Sequence, residues 1–202
     1  MLWCRTYSLY SPQMLAKVEH RGLLLQFLIS DLIEAVKAYK KGAPWSQILS
    51  THPCFIPYDW GNHTGYLNKI QEHAILMCSS FPKHKRHINQ FEKALEKNIH
   101  SLSQHKEILS DTFLKAIREI YLALERFLLV CNENENLILF LLKNKEEIDQ
   151  IMGKGHLRKF LEKMHPEGLE KLGEKMCDRY HQRGFFSQIP EFKLLLSDLI
   201  HV

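Results

Sequence analysis

The fold of this chain is decided by one stretch, Phe127-Leu128-Leu129-Val130-Cys131-Asn132-Glu133-Asn134-Glu135-Asn136-Leu137-Ile138-Leu139-Phe140-Leu141-Leu142. Its two apolar runs, 127–131 and 137–142, are hydrophobic almost all round a helix, which is typical of helices that are surrounded by other elements. The polar insert between them, 132–136, supplies residues that favour turns and helix N-caps. The stretch therefore predicts a buried helical hairpin at the centre of a globular helical domain.

Helical periodicity extends from this stretch in both directions. Upstream, Ser11-Pro12 has N-cap and N1-proline chemistry, and apolar residues at three- and four-residue spacing predict a long first helix that Gly42 ends. The remaining helical patterns cover 44–49, 65–79, 88–109, 113–131, the segment from the polar insert to Gly153, 156–164, the segment from Leu169 to Gly184, and the segment from Ile189 onward.

No segment alternates apolar and polar residues between hairpin turns, so we expect strands to be few or absent. The prediction is an all-α fold, an irregular bundle of about seven or eight helices with a central buried helical hairpin. We expect residues 1–202 to form a single helical domain. A semi-independent C-terminal lobe over 153–202 is the alternative, because Gly153-Lys154-Gly155 is the weakest point of the helical pattern.

The composition is that of an ordinary globular protein. Hydrophobic residues make up 45% of the chain, charged residues 25%, and the net charge is +4 with histidine neutral. The 27 basic and 23 acidic side chains are interleaved, which is typical of solvated helix faces. Another protein is therefore the favoured partner, and nucleic acid is a less favoured one.

Cysteine usage and the N-terminal sequence indicate the compartment. The five cysteines are scattered and form no C-x-x-C pair, which favours reduced thiols. The first residues lack the pattern of a secretory signal, and the apolar run 22–29 is far shorter than the ~20 residues of a membrane span. We expect a soluble cytoplasmic protein without a transmembrane segment, with export without a cleavable signal as the alternative.

Histidines are concentrated around residue 84, in Lys83-His84-Lys85-Arg86-His87. His84 and His87 would share one face of a helix, a spacing that permits metal binding. The neighbouring cations oppose a bound metal ion, and neither an H-E-x-x-H pattern nor a closely spaced Cys/His set is present. We therefore expect no metal, no other cofactor and no catalytic residues, and the interpretation leans away from an enzyme.

Two segments carry aromatic side chains that suit partner recognition. The loop 51–65 combines large rings with prolines, and such rings serve either as anchors for a partner or as a plug at the end of the bundle. Residues 180–186 form either an exposed contact site or a helix stop followed by buried phenylalanines, and the second interpretation is favoured. The residues predicted to bind a partner are Phe55, Tyr58, Trp60, His63, His84 and His87.

The sequence thus predicts a non-enzymatic helical protein that acts through protein–protein interaction, as an adaptor, a regulator or an effector-like protein. The alternative is a helical enzyme, or a protein that binds a small ligand or metal in an interhelical pocket near His63 and His84. No motif covers enough of the chain to assign it to a family.

Overall fold

The computed structural model of this chain describes residues 18–51, 110–129 and 135–201, together with residues 90, 93, 94, 97, 98, 100 and 101. Within these residues there is no strand, which confirms the prediction of an all-α fold. Eight helices have their bounds in the described ranges: α1 (Val18–Lys40), α2 (Trp45–Thr51), α3 (Ser110–Leu128), α4 (Glu135–Lys143), α5 (Lys145–Met152), α6 (His156–Met164), α7 (Leu169–Gln182) and α8 (Gln188–Ile200). None of these helices is long and apolar enough to cross a membrane.

The chain divides into two compact units, residues 1–131 and 132–202. The division falls at the polar insert, so the two apolar runs that predicted the central hairpin belong to different units. The second run is buried as predicted, whereas Leu129 in the first run is 41% exposed. The prediction of one domain over 1–202 with a lobe over 153–202 stays a prediction.

The first unit is held together by the packing of α1 against α3, with α2 against α1. Among the apolar residues that predicted α1, Leu25, Ile29, Leu32 and Val36 are buried, and Ile29 and Leu32 are 0% exposed. Phe113 stacks on Tyr39 with ring centroids 4.1 Å apart and meets the edge of Trp45 at 5.5 Å. Gly42 ends α1 as predicted, because its φ of +85° is a conformation that a residue with a Cβ rarely adopts.

The second unit contains α4 to α8, in which α8 packs against α7 and α4, and α5 packs against α4 and α6. The single helix predicted from the polar insert to Gly153 is wrong, since α4 and α5 are separated at Asn144. The Asn144 side-chain amide donates to the carbonyl oxygen of Phe140 at 2.8 Å. A side chain that bonds the backbone of the preceding turn competes with regular helix geometry, which explains the break.

The loop Gly153-Lys154-Gly155 is organised around the carboxylate of Asp149. Its Oδ2 accepts from the backbone N–H of Gly155 at 2.9 Å, and its Oδ1 accepts from that of Leu157 at 3.2 Å. The N-terminus of α6 attracts anions, because its first N–H groups have no partner within the helix. A carboxylate of the chain itself, that of Asp149, occupies that position.

Helices α7 and α8 approach each other closely at Gly173. A Cβ atom at this position would lie 2.7 Å from Cδ2 of Leu196, so the absence of a side chain permits the approach. Further along the same interface, Tyr180 and Phe192 are both 0% exposed and pack edge to face, with ring centroids 5.7 Å apart. The inner faces of these two helices therefore form a closed aromatic core.

Candidate functional site

The residues that the sequence predicts for partner binding lie outside the described residues; they are Phe55, Tyr58, Trp60, His63, His84 and His87. Their role and the pocket near His63 and His84 stay predictions. Within the part of the chain that the structure describes, no group of three or more His, Cys, Asp or Glu side chains is placed to hold a metal ion.

Two adjacent phenylalanines are exposed in the turn between α7 and α8. Phe185 is 41% exposed and Phe186 is 56% exposed, so the favoured sequence interpretation of buried phenylalanines was wrong. The turn explains the difference. Gly184 has a φ of +75°, and the backbone N–H of Phe185 donates to the carbonyl oxygen of Tyr180 at 2.8 Å. The neighbouring rings of Tyr180 and Phe192, by contrast, are both 0% exposed.

The exposed phenylalanines continue into an apolar row on α8. Backbone hydrogen bonds from Gln188 to Phe185 and from Ile189 to Phe186 extend the first turn of α8 towards the phenylalanines. Residues four apart lie on one side of a helix, so Pro190 and Leu194 share a face of α8, and Phe186 precedes the helix by two residues. Pro190 is exposed and Leu194 is 63% exposed. We call Phe185, Phe186, Pro190 and Leu194 the Phe-turn surface.

Basic side chains border the Phe-turn surface. No acidic residue occurs between Arg179 and Pro190, and the ring of His181 meets that of Phe186 edge to face at 4.8 Å. Lys193 is exposed beside Leu194 on α8. The carboxylate of Glu191 is neutralised locally, since it lies 2.9 Å from Nζ of Lys143.

The buried carboxylate of Glu135 contacts the turn between α7 and α8. Glu135, the first residue of α4, is 2% exposed, and its Oε1 lies 2.9 Å from Nη1 of Arg183 in an ion pair without a well-aligned hydrogen bond. The hydroxyl of Tyr180 donates to the backbone carbonyl oxygen of the same glutamate at 3.0 Å. Burial, followed by the charge of Glu135, raises the pKa of Tyr180 far above its ordinary value, so that this hydroxyl stays protonated and remains a donor.

Sequence reasoning missed Glu135, because its residue type and position indicated only turn and cap chemistry in the polar insert. A glutamate in the first turn of a helix is ordinarily explained by the helix dipole alone. Tyr180 is 45 residues from it along the chain, so no local pattern points to the contact.

The other polar groups with perturbed pKa values have structural roles. A hydrogen bond from Asn98 lowers the pKa of Glu119, whose carboxylate also pairs with Lys97 at 3.2 Å. Burial raises the pKa of the Cys177 thiol, which disfavours the nucleophilic thiolate.

Arg158 of α6 is engaged within the second unit, since it pairs with Glu162 at 3.0 Å and donates to the carbonyl oxygen of Ile200 at 3.0 Å.

Comparison with known proteins gives no relative: no family model, no curated protein and no solved structure matches this chain. The Phe-turn surface therefore has to be interpreted from its own chemistry.

Proposed function

We propose that this chain acts by binding another protein and that the Phe-turn surface makes the contact. One observation carries the proposal. Within the described residues, five large hydrophobic side chains are exposed, and three of them, Phe185, Phe186 and Leu194, lie in this surface. Contiguous exposed apolar side chains with a polar rim are typical of interaction sites, and aromatic rings contribute most to the affinity of such sites.

The shape of the surface favours a partner that offers an apolar groove. Pro190 and Leu194 have the four-residue spacing with which a helix presents anchors to a groove, and Phe186 precedes them at the same interval in the sequence. Pro190 and Leu194 are about 6 Å apart along the helix axis, at 1.5 Å per residue, and they lie opposite the face of α8 that is packed on the core. Phe192, Leu196 and Leu199 are the buried residues of that opposite face.

The charges near the surface favour a protein over a lipid membrane. Segments that bind anionic lipid electrostatically present clusters of about four to eight lysines and arginines. Here the flanking lysine and arginine side chains are Arg179, Arg183 and Lys193, and Arg183 is paired with Glu135. This number of cations suits an acidic rim on a protein partner.

Quantitative co-purification from the cells that make the protein tests the proposal. The parent chain is compared with a Phe185→Ser/Phe186→Ser variant and with Lys171→Ser, a matched control at an exposed position of α7. Each protein captured by the parent is then purified, and its Kd is measured by calorimetry. We expect the double variant to lose at least about tenfold in affinity, or about 1.4 kcal/mol, while the control binds as the parent does. Equal affinities for all three chains would overturn the proposal.

A further inference from the structure

We infer that Glu135 and Arg183 form a latch that fixes the position of the Phe-turn surface. The functional consequence of the latch rests on the function proposed above, whereas its mechanical effect on the turn does not. Glu135 and Arg183 are positioning residues, because they act on Phe185 and Phe186 through the backbone of the turn.

Burial of Glu135 distinguishes the latch from an ordinary surface ion pair. The Glu135 side chain is 3% exposed, whereas that of Arg183 is 41% exposed. Exposed pairs are weak because water solvates each partner once they separate. The carboxylate of Glu135 has little access to water, so loss of the guanidinium would remove the ion-pair partner of a group that water cannot solvate instead. The pair therefore holds Arg183 strongly in place.

Glu135 holds the turn at two points. Its side chain contacts Arg183, which immediately precedes Gly184, and its backbone carbonyl accepts the hydroxyl of Tyr180. Tyr180 in turn accepts the backbone N–H of Phe185 through its own carbonyl oxygen at 2.8 Å. The contacts thus form a connected path from the first residue of α4 to the first residue of the Phe-turn surface.

Helix electrostatics stabilises the same arrangement. Glu135 opens α4 and Arg183 is the C-cap of α7. A negative charge is favourable at a helix N-terminus and a positive charge at a C-terminus. Each partner of the latch therefore interacts favourably with its own helix end as well as with the other partner.

Peptide-resolved amide hydrogen exchange on the full chain tests the latch. Arg183→Gln removes the charge and keeps most of the side-chain length. We expect exchange in 184–188 to accelerate by at least about tenfold, while exchange in α6 stays unchanged. Arg158→Gln, which removes another partly exposed ion-paired arginine of the second unit, is the control and should leave 184–188 unchanged. Unaltered exchange of 184–188 in Arg183→Gln would overturn the inference.

Two further variants, Arg183→Lys and Glu135→Gln/Arg183→Gln, also test the latch. If Arg183→Gln fails to fold, Arg183→Lys, which retains the charge without the guanidinium fork, should still accelerate exchange in 184–188 relative to the parent. In Glu135→Gln/Arg183→Gln no charge stays buried, so we expect part of the protection to return. Failure to recover any protection would contradict the role of the buried charge.

Measurements of partner affinity distinguish a failure of the latch from a failure of the proposed function. If the captured partner binds the parent chain, Glu135→Gln should weaken its affinity severalfold, because it removes the buried member of the latch and leaves every flanking cation in place. Accelerated exchange in a chain for which no partner depends on Phe185 and Phe186 would refute the proposed function and leave the latch. Unchanged exchange with a partner that does depend on those phenylalanines would refute the latch alone.

Discussion

Phe186, in the turn before α8, and Phe192, on the inner face of α8, are residues of the same type with opposite exposure. Phe192 is 0% exposed and meets Tyr180 edge to face, whereas Phe186 is 56% exposed and meets His181 in the same geometry. Each ring has an aromatic neighbour from the last turn of α7, yet one ring is closed off from water and the other is not. Contact with another ring therefore does not distinguish a core phenylalanine from a candidate contact residue, whereas the exposed fraction of the side chain does.

Truncation of the inner ring should have the largest effect. Phe192→Ala removes a fully buried side chain, and such changes cost about 3–5 kcal/mol through lost burial and the cavity that remains. Urea unfolding followed by circular dichroism measures this loss in the free energy of unfolding. A cost below about 1 kcal/mol would mean that the inner face of α8 is not core.

Removal of the Tyr180 hydroxyl should have an intermediate effect. Tyr180→Phe keeps the ring against Phe192 but leaves the buried carbonyl oxygen of Glu135 without this donor, at a cost of about 1–2 kcal/mol. The same urea experiment measures it. No loss of stability would indicate that the hydroxyl is replaced by water and contributes nothing to the latch.

The stability of the folded chain at alkaline pH should also depend on the Tyr180 hydroxyl. The pKa of Tyr180 is raised in the folded chain, so above the ordinary tyrosine pKa of about 10 the folded state retains a proton that the unfolded state has lost. Stability contributed by this group is therefore complete below pH ~10 and falls as the pH rises further. Between about pH 9 and 11 the free energy of unfolding of the parent should decrease more than that of Tyr180→Phe. The decrease should begin within about 0.5 pH unit of the ordinary tyrosine pKa. Parallel losses would contradict the assignment.

Substitution of the outer ring should have the smallest effect on stability. Phe186→Ser alters a side chain that is mostly in water, and we expect the free energy of unfolding to change by no more than about 0.5 kcal/mol. The measurement is urea unfolding, with Phe192→Ser as the buried counterpart. A cost comparable to that of Phe192→Ser would place Phe186 in the core and remove the basis of the proposed surface.

Elements that local chemistry determines could be predicted from the sequence. The helix over 156–164 was predicted with the bounds that the structure shows, and the end of α1 was predicted from Gly42. In both cases a glycine close to the helix end sets the helix boundary, so residues within one helical turn are sufficient to predict it. Most side chains of the apolar run 137–142 are likewise buried, because a helix that is hydrophobic on nearly all sides is stable only inside a core.

Features that depend on distant contacts could not be predicted. The exposure of Phe185 and Phe186 accompanies a turn at Gly184 whose direction sequence spacing does not reveal. Burial of Glu135 depends on Arg183 and Tyr180, which come from α7 and its C-cap. The break at Asn144 depends on a side-chain rotamer, since the same residue on a helix surface can also point into solvent.

Photo-crosslinking from position 186 tests the central claim most directly, namely that the outer face of α8 is a contact surface. A photoreactive phenylalanine replaces Phe186 in the full chain inside the cells that make it, with and without Leu194→Ser. We predict one defined protein adduct, identified by mass spectrometry, whose yield falls at least about fivefold when Leu194 is replaced. The absence of an adduct, or a yield that Leu194→Ser leaves unchanged, would contradict the account.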